Sequence, residues 1–171
     1  MQVTSEVTSR VFRDTMGCFA TGVCIVSAKH GDQLHGMTVN SLTSVSLHPP
    51  LVLVCFNRNT RTERAVQAAG AFGVNFLREE QADLSNRFAR PSEDHYAGLE
   101  LLYEEGVPLL PNCLAYLVCR TGNVYEEGDH SIVIGHVIRA LPCKGAPLLF
   151  VRGRYHCLGG AAGTKPEFWY W

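Results

Sequence analysis

The side chains best suited to chemistry fall in four places. Gly36-Met37-Thr38-Val39-Asn40-Ser41-Leu42-Thr43-Ser44-Val45-Ser46 crowds small, hydroxyl and amide residues between two strand-like stretches. On composition alone it is a polar connection whose hydroxyls and amides satisfy backbone groups at strand ends. Arg58, Thr60, Arg61, Thr62 and Arg64 gather at the start of a short helix, where free amides and the macrodipole favour an anion. Against that reading, Glu63 adds a negative charge there, and arginines on a short surface helix usually form a solvated face. His130 follows Gly128-Asp129 at a strand entrance, with Asp129 placed to hold its ring. Arg154 beside Tyr155 joins a cation to an aromatic face.

What is missing narrows the chemistry. No G-x-G-x-x-G follows a strand, and neither G-x-x-x-x-G-K-[ST] nor G-x-S-x-G occurs, which disfavours the usual nucleotide and hydrolase folds. Seven cysteines are an odd number, none in a C-x-x-C pair, and the seven histidines add no metal-ligand spacing. Reduced thiols and no metal are expected, with Cys113 and Cys119 as small buried hydrophobes. Fifteen basic against sixteen acidic side chains give a net charge of −1, which points to neither nucleic acid nor a membrane surface. Leu51–Phe56 is far short of the roughly 20 apolar residues of a membrane span. The polar stretch Met1–Arg10 lacks a secretory apolar region, so a cytoplasmic protein is expected.

The elements that must position these groups read as mostly strands. Apolar residues at three-to-four spacing behind Thr8 and Ser9 predict a helix over 9–20. Gly22–Ala28, Gln33–Val39, Leu42–Leu47 and Leu51–Phe56 read as strands, the last buried on both faces because its apolar run does not alternate. Thr60 with Glu63 is a capping box and Gly70 a stop, framing a helix at Arg61–Ala69. Ala71–Leu77 is extended, Glu79–Ala89 a second short helix, and Arg90–His95 an exposed charged loop. Cys113–Val124, Ser131–Ala140 and Pro147–Val151 complete the strands, and His136 within them is read as structural. The sum is a mainly β chain: a closed or nearly closed barrel with a few helices outside it. One domain is expected over 1–171, with a core at about 10–158. Residues 159–171 form a Gly-rich linker and the aromatic tail Phe168-Trp169-Tyr170-Trp171, an apolar patch that asks for a docking surface.

Several short strings occur in one order: Phe19-Ala20-Thr21-Gly22-Val23, Gly36-Met37-Thr38-Val39-Asn40-Ser41 with Ser44-Val45-Ser46, and Pro49-Pro50-Leu51-Val52. Leu84-Ser85 with Phe88-Ala89, Gly128-Asp129-His130 with Gly135-His136-Val137, Pro147-Leu148-Leu149 and Arg152-Gly153-Arg154-Tyr155 follow. Together they resemble the flavin reductase-like family of split-barrel, FMN-binding proteins, and most of all the small reductase components of two-component flavin-dependent monooxygenases. The resemblance implies a Greek-key-like antiparallel split β-barrel and a homodimer. It also implies an NAD(P)H-dependent flavin reductase that uses NADH or NADPH to reduce FMN or FAD, which then diffuses to an oxygenase.

By the same resemblance, Thr38, Val39, Asn40 and Ser41 line the flavin together with Cys55, Phe56 and Asn57. That mixture of small residues and donors suits a flat apolar ring with a carbonyl and N–H edge. Arg58, Thr60 and Arg61 are assigned to its phosphate, and Asn86, Arg87 and Phe88 to the ribityl or adenylate part, although Phe88 serves equally as core. His130 is assigned to nicotinamide, with Arg154 and Tyr155 toward the rest of NAD(P)H. Two rivals stand beside this reading: a flavin carrier without turnover, and a pyridoxamine-phosphate-oxidase-like enzyme on the same barrel.

Overall fold

The computed structural model describes residues 7–92 and 94–159. Along the chain run α1 (Ser9–Met16), β1 (Thr21–Gly22), β2 (Cys24–His30), β3 (Gln33–Val39), β4 (Thr43–Leu47), β5 (Pro50–Asn57), α2 (Arg61–Ala69) and β6 (Ala71–Phe76). They are followed by α3 (Ala82–Ala89), β7 (Leu102–Glu104), β8 (Val107–Leu109), β9 (Ala115–Glu127), β10 (His130–Pro142), β11 (Leu149–Val151) and β12 (Arg154–His156).

Seven strands form one sheet in the order β3-β2-β6-β9-β10-β5-β4, with every neighbouring pair antiparallel. Its two edges, β3 and β4, are consecutive in sequence, so the short link between them spans the opening of the barrel. Ser41 in that link donates through Oγ to the Cys55 carbonyl at 2.9 Å and accepts from the Cys55 N–H at 3.1 Å. A hydroxyl thus replaces a backbone pair, and the barrel is pinned where it would otherwise open. β1, β11 and β12 make a separate three-stranded sheet, and β7 with β8 a hairpin.

Alternation along the strands sends side chains to two cores, one on each face of the sheet. Val26, Val54, Phe56, Phe72, Val74 and Val133 fill the barrel, whereas Ile25, Leu77, Phe88, Leu110, Val118 and Leu148 pack on the other side beneath α3. Each fully buried side chain of this size contributes about 1.5 to 3 kcal/mol. Cys113 and Cys119 are buried among them, as the sequence implies.

Several expectations need correction. The first helix ends at Met16, where the ladder tightens to bonds three residues back, from the Cys18 N–H to the Thr15 carbonyl at 3.1 Å and from the Phe19 N–H to the Met16 carbonyl at 3.0 Å. α2 is not peripheral: Ala65 and Val66 belong to the barrel core. β5 alternates after all. Val52, Val54 and Phe56 are buried while Leu51, Leu53 and Cys55 are half-buried, since nothing in the described residues fully covers the outer face of this strand. The loop after α3 is only partly exposed: His95 stacks on Phe88 with centroids 5.1 Å apart, and buried Tyr96 donates to the His35 carbonyl at 2.7 Å. That approach requires Gly36, where a Cβ would lie 2.5 Å from the Tyr96 hydroxyl oxygen. His136 is exposed, its ring lying over Gly122. The β7–β8 hairpin has no counterpart in the sequence reading. The aromatic tail lies outside the described residues.

Candidate functional site

The end of β3 is an edge, so alternate backbone groups there face the barrel's opening rather than another strand. Thr38 leads out of it and donates to the Ser85 carbonyl on α3 at 2.7 Å. Ser85, fully buried, meets the Tyr155 hydroxyl through Oγ at 2.8 Å, and Tyr155 donates onward to Asn86 Oδ1 at 3.3 Å. Asn40, exposed, donates to Thr21 Oγ1 at 3.3 Å. Through Ser41 the line passes to Cys55, and at the end of the same strand Asn57 stands opposite His130. Tyr155, Asn86, Thr38, Asn40, Ser41, Cys55, Asn57 and His130 therefore form one arc of polar groups along the split, with Ser85 buried behind Thr38 and Tyr155.

At the far end of the arc the β9–β10 hairpin turns at Gly128, whose φ of 57° is a conformation glycine adopts without strain. His130 Nδ1 lies 2.7 Å from Asp129 Oδ1. That hydrogen bond, with the accompanying charge attraction, holds the Asp129 carboxyl below its usual range. With Nδ1–H donating to the carboxylate, Nε2 is the ring atom left for a ligand. The Arg58 N–H donates to the Asp129 carbonyl at 3.1 Å, and its guanidinium pairs with Glu126 at 2.6 Å.

α2 begins as the capping chemistry predicts, with Thr60 Oγ1 accepting from the Glu63 N–H at 3.3 Å. The reciprocal half of the box does not form. The Glu63 carboxylate turns into the barrel and accepts from Ser131 Oγ at 3.1 Å and from the Gln67 amide. Arg61 reaches the other way and donates to the Ser92 carbonyl at 2.7 Å, bordering a cavity of about 340 Å³ lined also by Gln33, His35, Thr62, His95 and Tyr96. Burial, reinforced by Arg61 and His30, lowers the pKa of His35.

Not every assigned residue joins the arc. Phe56 and Phe88 are at 0% and 2% exposure, so their rings belong to the two cores and have no surface for a ligand. This corrects their placement as side-chain contacts to flavin; only the Phe56 backbone lies on the way. Val39 is likewise buried. Arg87 donates to the Ala97 carbonyl at 2.7 Å and fastens the loop after α3. Arg154 is exposed beside Tyr155 on β12. Burial pushes the Cys55 thiol above its ordinary value, which keeps it protonated and unsuited to nucleophilic attack. No group of three or more potential metal ligands gathers among the described residues. Sequence reasoning gave no role to Ser85 or Ser131, and the inward turn of Glu63 had no signal because its spacing fits a capping box equally well.

Small residues, free edge amides and hydroxyls arranged beside a cation-bearing helix start are the surroundings a flavin needs. Residues 16–159 match the flavin reductase like domain. The chain belongs to the flavin reductase-like family. It is 37% identical to the reductase subunit HsaB of a flavin-dependent monooxygenase from Mycobacterium tuberculosis, over 96% of this chain and 87% of that protein. Identity to the reductase component of a 4-nitrophenol 4-monooxygenase/4-nitrocatechol 2-monooxygenase from Rhodococcus opacus is 40%, over 84% of this chain and 78% of that one. Among solved structures of the family, the Streptomyces globisporus NADH:FAD oxidoreductase SgcE6, in complex with NAD and FAD fragments, superposes with a TM-score of 0.85 at 35% identity, covering 91% of this chain and 96% of its own.

Proposed function

We propose that this chain is an NAD(P)H:flavin oxidoreductase that reduces FMN or FAD and hands the reduced flavin to a partner monooxygenase. The observation that carries the reading is the arc along the split: it offers small residues and donors to a flat ring at one end and a carboxylate-held imidazole at the other. When both ligands are bound, the chemistry is hydride transfer from nicotinamide C4 to flavin N5, and no general base is required of the protein. Its residues have to hold two rings in contact and exclude water between them.

The edge of β3, with Thr38, Asn40 and Ser41, meets the carbonyl and N–H edge of the flavin. Arg58, Thr60 and Arg61 take its phosphate. Arg58 is free to exchange, since its pair with Glu126 is a surface ion pair worth about 0 to 1 kcal/mol. Arg61 carries further donors beyond the one given to Ser92, and the cavity it borders is where the adenylate half of FAD continues. His130 positions nicotinamide at one end of the arc, and the rest of the dinucleotide runs along it toward Arg154 and Tyr155 at the other.

Relatives named as reductase components support a diffusible rather than a permanently held flavin. We also propose a homodimer, supported by α1, which buries no residue and leaves Phe12 at 56% and Met16 at 52% exposure. A cytoplasmic setting agrees with seven free thiols, three of them exposed. No helix of the described residues is long and apolar enough to cross a membrane. The test is steady-state oxidation of NADH and of NADPH with FMN, FAD and riboflavin supplied separately. Turnover with at least one pair is expected; binding without turnover for every pair would make the chain a flavin carrier instead.

A further inference from the structure

Asn57, Arg58, Asn59, Thr60, Arg61 and Thr62 leave the barrel at the end of β5 and return to it at the start of α2. Both feet of this arch stand on one residue. Phe56, its first foot, is the cross-strand partner of Ser131. Glu63, its second, places its carboxylate on Ser131 Oγ at 3.1 Å. Ser131 is 1% exposed and Glu63 6%, so the hydrogen bond is shielded from competing water. Gln67, one turn further along α2, donates to the same Glu63 oxygen and fixes its rotamer. Between the feet, Asn59 sits in the left-handed region at φ 65° and is held there by the Arg64 guanidinium, which donates to its carbonyl at 3.0 Å.

We propose that the buried Glu63–Ser131 hydrogen bond is a positioning clasp that sets the phosphate-binding arch. Neither residue touches a ligand; both act through Arg58, Thr60 and Arg61. The inference rests on the flavin reductase reading and goes beyond it by naming what holds the phosphate end in register. FMN and riboflavin carry the same ring and differ in the phosphate, so the clasp must act on one and spare the other. A residue that only stabilised the fold would affect both alike.

The experiment compares kcat/KM for FMN and for riboflavin in the wild type, Ser131→Ala, Glu63→Ala, Glu63→Gln and the Ser131→Ala/Glu63→Ala double variant, with thermal unfolding of each. The wild type should prefer FMN by about 10-fold or more, the worth of charge-assisted bonds to a phosphate. Ser131→Ala and Glu63→Ala should each lower kcat/KM for FMN about 10-fold through KM, leave riboflavin within about twofold, and be no worse combined than alone. Glu63→Gln keeps a carbonyl oxygen for both donors and should restore most of the FMN preference. Equal losses with FMN and riboflavin, unchanged kinetics in a destabilised variant, or a wild type indifferent to the phosphate would each overturn the clasp while leaving the reductase reading intact. A wild type that reduces no flavin with either nicotinamide would overturn the reading on which it stands.

Discussion

α1 and α2 start alike and end differently. Each is capped by a threonine whose hydroxyl accepts from the N–H three residues on, Thr8 from Val11 and Thr60 from Glu63, both at 3.3 Å. Each carries an apolar stripe. α2 finds the barrel and buries Ala65, Val66, Thr62 and Glu63, whereas α1 buries nothing. Capping chemistry thus decides where a helix begins, and the surface offered to its stripe decides what the helix is for. α2 packs into the barrel beside the candidate site; α1 leaves its apolar stripe exposed.

Removing apolar volume should separate the two helices most sharply. Val66→Ala deletes two methyl groups at 0% exposure and should cost about 2 kcal/mol in denaturant unfolding. Phe12→Ala removes a larger side chain from α1, yet should change unfolding of the isolated chain by less than about 0.5 kcal/mol. Its effect should appear in sedimentation, as a dimer dissociation constant raised about 10-fold or more. A wild type that sediments as a monomer at all concentrations would remove α1's role.

The caps give the next largest contrast. Thr8→Ala and Thr60→Ala should each cost about 1 kcal/mol of stability. Only Thr60→Ala should also raise KM for FMN, because only that cap lies in the phosphate arch; an FMN response to Thr8→Ala would erase the distinction. Comparing KM for FAD and FMN in His95→Ala tests the neighbouring cavity: FAD should weaken severalfold and FMN remain as it was.

The smallest effect belongs to the hairpin beside α2. The Asp129 carboxyl is held below its usual range by His130, so its charge is present above that range and is lost only as pH falls through the lowered value. Across neutral pH it does not titrate, and its full exposure leaves folding nearly indifferent to it. Asp129→Asn should therefore keep the wild-type melting temperature while lowering kcat/KM for NADH about two- to fivefold.

What the sequence disclosed divides along similar lines. Local signals were legible: the Thr60 cap, the Gly70 stop, the Gly128 turn and the apolar strands all follow from nearest-neighbour chemistry. The resemblance added the order of the strings and hence the barrel. Long-range choices stayed hidden. Whether Glu63 caps its own helix or crosses to Ser131 depends on a partner 68 positions away. Whether Phe88 meets a ligand or fills the core was decided only by His95 and Tyr96 folding against it. The outer face of β5 reads as core in sequence because Leu51, Leu53 and Cys55 are the side chains of a buried strand, and only the fold leaves them half-buried.

The account turns most directly on His130. Kinetics of His130→Ala with NADH varied at saturating FMN, and with FMN varied at saturating NADH, should give a kcat/KM for NADH lower by about 10- to 150-fold, the worth of a lost hydrogen bond of about 1.5 to 3 kcal/mol, with KM for FMN and the melting temperature nearly unchanged. A well-folded His130→Ala that oxidises NADH as the wild type does would contradict it.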